Sequence, residues 1–134
     1  MMRRLLLIVT ILVLAISGLT FAAGTDHRTK KGAFIFAMQT EPAEPVVGSN
    51  RIILTVKDAG SGAAVEGATV RVVPWMSIHG HGSPQETHVK EKGKGVYEVD
   101  DIYYSMGGAW ELLLTIQKGI VEDAASVAVD IKSK

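Results

Sequence analysis

Cysteine is absent from all 134 residues. That excludes disulfides, thiolate metal sites, a copper centre with a cysteine ligand and a thiol nucleophile. It also excludes a lipoprotein anchor, which needs a cysteine at the cleavage point, so stability has to come from packing. A surplus of positive charge is absent too. Basic and acidic residues number 14 each. Without Arg3 and Arg4 of the N-terminal leader, 12 basic residues face 14 acidic ones, a net charge of −2. No basic stripe exists to neutralise phosphates, so nucleic acid is excluded as a partner. Catalytic signatures are missing as well. Ser77, Ser83 and Ser105 lack a nucleophile-elbow context, and no phosphate-cradling glycine motif occurs. Asp100 and Asp101, like Glu122 and Asp123, are neighbours in sequence; on a strand they point to opposite faces and make no acid–base pair. The chain is therefore not expected to be an enzyme.

One long apolar run is present, and it lies at the N-terminus. Met1-Met2-Arg3-Arg4 is a positive leader start, Leu5 to Ile16 is almost unbroken apolar sequence, and Ser17 to Ala22 supplies small residues. This reads as a signal peptide over residues 1–22, cut after Ala22. The alternative is an uncleaved anchor, since Leu5 to Ala23 is about 19 residues, enough to span a bilayer. Either way the domain is expected in the periplasm or outside the cell. Residues 23–32 read as a polar tether in which His27 is solvated, and residues 33–134 as the folded domain.

In that domain, period-two alternation predicts about seven strands. They begin at Ala33 and then run over Arg51 to Lys57, Ala68 to Trp75, Glu86 to Glu91, Val96 to Tyr103, a stretch opening at Trp110, and Asp123 to Lys132. Val70 and Val72 are expected inward on the third, and Trp110, Leu112, Leu114 and Ile116 inward on the sixth. The Pro/Gly-rich stretch 41–50 is expected to be a loop. Short strands, glycine-rich turns and no amphipathic helix give an all-β fold, an antiparallel immunoglobulin-like sandwich, with a small barrel as the other solution.

The stretch from Pro74 to Pro84 concentrates unusual chemistry: Trp75, Met76, His79 and His81 within seven residues. Imidazole suits both oxidation states of copper, and thioether sulfur favours the cuprous ion. An extended backbone at His79-x-His81 would put both rings on one side. Antiparallel strands alternate direction, so loops 41–50, 76–85 and 104–108 share one end of the sandwich, bringing Met106 towards Met76, His79 and His81. Trp75 is placed to cover an ion with its indole face, and His88 is a spare ligand. The tether is expected at the opposite end, with the loop pointing away from the membrane. The plain reading makes Met76 and Met106 packing residues and both tryptophans core anchors.

The order Pro45-x-x-Gly48-x-Asn50, Val65-x-Gly67-Ala68, Met76-x-x-His79-Gly80-His81-Gly82, Gly95-x-Tyr97 and Met106-x-Gly108-x-Trp110-Glu111-Leu112 resembles the YtkA-like/FixH-like domain family over about residues 33–132. The resemblance implies an extracytoplasmic immunoglobulin-like module, with FixH-type members associated with assembly of copper-dependent oxidases. Carried over position by position, it singles out Met76, His79, His81 and Met106 as metal ligands. It departs from the pattern at Ser77, where relatives often carry proline. Two functions follow. One is a copper-binding protein that holds or delivers the ion, with a membrane oxidase or copper-handling protein as partner. The other is a module without metal that docks on a membrane complex. A carbohydrate platform of Trp75, Tyr103 and Tyr104 is disfavoured, because adjacent tyrosines on a strand face opposite ways.

Overall fold

The computed structural model describes residues 25–133. The leader therefore lies outside the described residues. Among the described residues nine strands form two antiparallel sheets. The first sheet contains β1 (Asp26–Arg28), β2 (Phe34–Glu41), β3 (Gly48–Asp58), β7 (Val96–Tyr104) and β6 (His88–Gly93), in that order across it. The second runs β5 (His81–Gly82), β4 (Thr69–Met76), β8 (Gly108–Lys118) and β9 (Val121–Ile131). Among the described residues there is no helix long and apolar enough to cross a membrane.

Alternation builds the core. Phe36, Ile52, Leu54, Val99 and Ile102 of the first sheet meet Val72, Trp110, Leu112, Leu114 and Ile116 of the second in one buried cluster. The long strands β2, β3, β4, β7, β8 and β9 thus bury one face and turn the other outward, as a two-layer sandwich requires.

Two strands exceed the seven expected, and both are too short to carry a period-two pattern. β5 is a two-residue return after the histidine loop. β1 falls within the segment expected to be a tether, and is paired with β2 from Asp26↔Ala37 to Arg28↔Ile35. His27 stacks on Phe36 with ring centroids 5.1 Å apart, a packed rather than a solvated position. The buried carboxylate of Asp123 holds the turn that follows. It accepts from the Thr29 hydroxyl at 2.6 Å and from the backbone N–H groups of Lys31, Ala33 and Ala124. Burial by itself opposes ionisation of Asp123, but these donors outweigh it and hold the carboxyl well below the usual carboxylate range.

The β1 hairpin corrects the expected entry of the chain. Because β1 runs antiparallel to β2, the chain before Asp26 lies towards the end where β2 finishes, and that end also holds the histidine loop. The loop expected over 41–50 is shorter than the sequence suggests. Gly48, Ser49 and Asn50 pair with Tyr104, Tyr103 and Ile102, with a bulge before Ile52. The Asn50 side chain makes this tolerable, since its amide bonds Val46 and Gly48 and so occupies the backbone groups of the bend.

Candidate functional site

β4 ends at Met76, which pairs with His81 across a tight hairpin, while Trp75 pairs with Gly82. The N–H groups of His79 and Gly80 both donate to the Met76 carbonyl, at 3.3 and 2.9 Å, so residues 77–80 make a single helical turn. Gly80 closes it with a φ of +64°, a conformation that glycine enters without steric cost.

This turn brings the two imidazoles together. The rings of His79 and His81 lie 5.8 Å apart, centroid to centroid, and 21° from parallel. The extended backbone expected for His79-x-His81 is not what achieves it; a coiled turn leading into a strand does. His81 Nδ1 stands 3.1 Å from the Gly82 carbonyl oxygen. That oxygen can only accept, so in this contact Nδ1 is the protonated nitrogen, and in the neutral ring the lone pair is on Nε2. His79 is exposed and His81 half-buried.

Trp110 connects this loop to its neighbour. Its indole meets the His81 ring edge-on at 5.7 Å and the Tyr104 ring at 5.4 Å. Its Nε1 donates to the Met106 carbonyl at 3.0 Å. One buried side chain therefore fixes both the histidine hairpin and the 105–107 turn. Sequence reasoning assigned the covering role to Trp75 and left Trp110 as a core anchor. The cue was available in the five-residue span from Met106 to Trp110, which sets the indole one short turn from the methionine.

The two methionines have different surroundings. Met106 is 41% exposed and Met76 only 2%. Met76 lies on the same face as His81, its cross-strand partner. Its Cε packs so close to Gly108 that a Cβ there would come within 2.8 Å. Met76 is a core residue beneath the hairpin, and Met106 is an exposed thioether in the turn whose carbonyl Trp110 holds. Trp75 packs over Gly82. His88 is on β6, engaged with Asp101 through Nδ1 at 2.8 Å. Among the described residues no three His, Asp or Glu side chains converge in a way that would hold a metal. The chemistry on offer is two imidazoles brought together by the hairpin.

A model of the YtkA-like family matches residues 31–115. A comparison with curated proteins finds no match. Among solved structures, the chain is similar to a DUF4426 family protein from Pseudomonas aeruginosa PAO1, with a TM-score of 0.57 and 13% identity, over 82% of this chain and 98% of the other. It is also similar to a copper-bound variant of FetP from uropathogenic Escherichia coli strain F11, with a TM-score of 0.53 and 8% identity, over 84% and 92% of the two chains. At these identities the likeness is one of fold.

Proposed function

This chain belongs to the YtkA-like family, and from that starting point we propose that it is an extracytoplasmic copper-binding protein that holds or delivers the ion through the His79/His81 hairpin. The observation that carries the reading is the spacing of the two rings. An ion about 2.0 Å from one nitrogen of each imidazole lies roughly 3.2 Å from each ring centre, so two rings on one ion stand no more than about 6.4 Å apart. The 5.8 Å separation of His79 and His81 falls within that reach. Because the rings stack near-parallel, the exposed His79 side chain has to turn to aim its lone pair at an ion held by His81. The contact of His81 Nδ1 with the Gly82 carbonyl also suits the tautomer that leaves Nε2 free to ligate.

Met106 is the sulfur ligand in this proposal. An exposed thioether can swing to an ion at little cost, whereas withdrawing Met76 would open a void against Gly108. Two nitrogens and one sulfur suit the cuprous ion. The copper-bound FetP variant lends support, because it carries that metal on a similar sandwich. A membrane oxidase or another copper-handling protein is the natural recipient.

The test is competition for cuprous ion against a colorimetric chelator, followed by dialysis. One copper per chain is expected to be retained, and the double variant His79→Ala/His81→Ala is expected to lose it. A wild-type chain that gives up its copper as readily as the double variant would overturn the proposal. A second reading, a metal-free docking module, rests on Ile78, which stands at the hairpin tip 75% exposed. In that case the double alanine variant would retain partner binding while Ile78→Asp abolished it.

A further inference from the structure

We propose that β9 is a pairing edge for a second copy of this chain, joining two sandwiches through an antiparallel β9–β9 ladder centred on Ala128. The first support is how the strand edges of the fold differ. A free edge offers a row of unpaired N–H and C=O groups, and proteins blunt such edges with short strands, lysine, proline or a covering loop. β1 is three residues long. β6 carries Lys90 and Lys92. β4 contains Pro74, which lacks an N–H, and meets β5 at Trp75 and Met76. Its Val72 carbonyl is taken by the Thr87 hydroxyl at 2.6 Å. β9 has none of these guards: it is 11 residues long and contains no proline or lysine.

Strand parity identifies the free groups. β9 follows β8 through a turn at Gly119 and Ile120, with Lys118 opposite Val121. The odd-numbered residues of β9 therefore bond β8, and the even-numbered ones turn their backbone groups outward. The Ala124 carbonyl agrees, since it accepts from the Lys30 N–H at 2.8 Å on the outer side. Beyond it Ser126, Ala128 and Asp130 are exposed, and among the described residues their outward backbone groups have no backbone partner. This stretch pairs with its own copy in full only when Ala128 lies on the two-fold axis. The Ser126 hydroxyl, 3.3 Å from Glu111 in the single chain, then stands opposite the partner's Asp130, a donor facing a carboxylate, and no like charges are directly opposed. On the other face the half-buried Val129 meets the partner's Val127. Lys30 and Lys132 bound the stretch and bring two cations near each end, which Glu44, 3.6 Å from Lys132, partly offsets. The occupant is a second copy because the stretch is complementary to itself. Antiparallel pairing also points the two histidine hairpins in opposite directions, so pairing does not depend on copper.

The chain has no cysteine of its own, so an introduced one reports the register. Across a hydrogen-bonded antiparallel pair the Cα atoms stand about 5.5 Å apart, within the span of a disulfide. Full-length chain in nonionic detergent, oxidised with diamide, is expected to form a covalent dimer when it carries Ala128→Cys. Ser126→Cys and Asp130→Cys alone are expected to run as monomers on non-reducing gels, because each position lies ~14 Å from its own copy. The double variant Ser126→Cys/Asp130→Cys is expected to link. Sedimentation of the cysteine-free chain should show a monomer–dimer equilibrium that Ala128→Lys weakens about 5-fold, since like charges then face each other on the axis. Absence of a disulfide at 128, equal linking at 126, 128 and 130, or a dimer indifferent to Ala128→Lys would each overturn the proposal. All these positions lie outside the histidine hairpin, so failure of pairing is distinct from failure of copper binding.

Discussion

The Thr29 hydroxyl donates to the Asp123 carboxylate at 2.6 Å across 94 residues of sequence. This contact closes one side of the sandwich, tying the turn after β1 to the start of β9. Asp123→Asn keeps the shape but turns an amide towards donors that need an acceptor, and about 2 kcal/mol of stability should be lost at neutral pH. The pH dependence has a definite sign. The folded carboxyl is held below its unfolded value, so its contribution is complete above about pH 4 and drains away as pH falls towards the folded value. Urea unfolding of both proteins from neutral to acid pH should show the gap narrowing below about pH 4. A gap that stayed constant into acid would sink the assignment.

The two methionines should separate cleanly. Met106→Leu is expected to weaken cuprous affinity about 10-fold, the loss of one soft ligand, with the melting temperature unchanged. Met76→Leu is expected to leave affinity intact and to cost under about 1.5 kcal/mol, as volume-conserving core swaps do. Chelator competition paired with thermal unfolding distinguishes them, and the reverse pattern would move the sulfur ligand into the core.

The Tyr104 hydroxyl is buried and finds no hydrogen-bond partner among the described residues. Burial pushes its ionisation well above the usual tyrosine range. Tyr104→Phe removes a desolvated polar atom and keeps the ring contact with Trp110, so a gain of roughly 1 kcal/mol is expected. Denaturant midpoints measure it, and a clear loss of stability would mean that the hydroxyl has a partner in solution.

Glycines at tight positions differ in consequence. Gly95 has a φ of +78°, and a Cβ there would come within 2.7 Å of the Val56 carbonyl oxygen. Its own carbonyl accepts from the Val56 N–H at 2.8 Å, so the backbone cannot move aside. Gly95→Ala should cost about 3 kcal/mol or more, against about 1 kcal/mol for Gly80→Ala, whose surroundings are open. Equal costs at the two positions would contradict the packing described.

Much of the sandwich could be read from alternation alone. Trp110, Leu112, Leu114 and Ile116 face inward as their spacing demands, and the loops at 42–47, 77–80 and 105–107 share one end as strand direction requires. The same alternation that turns Val70 and Val72 inward turns Met76 inward two steps later. Reading Met76 as a ligand went against that periodicity. β1 could not be found from sequence, because Asp26, His27 and Arg28 have no strand signature. What places them is Asp123, and no local pattern announces a contact 94 residues away. The entry side of the chain was misjudged for the same reason. The spacing of His79 and His81 pointed to an extended backbone, whereas the turn that brings their rings together depends on both N–H groups finding the Met76 carbonyl.

Only two tryptophans occur in the chain. Trp75 is paired with Gly82, and Trp110 meets the ring of His81. Every indole in the molecule therefore borders the histidine hairpin, and the protein's tryptophan emission originates beside the loop proposed to hold the ion. Unlabelled protein carries its own optical readout of that loop, and titration with an ion can be followed in the wild-type chain without altering a residue.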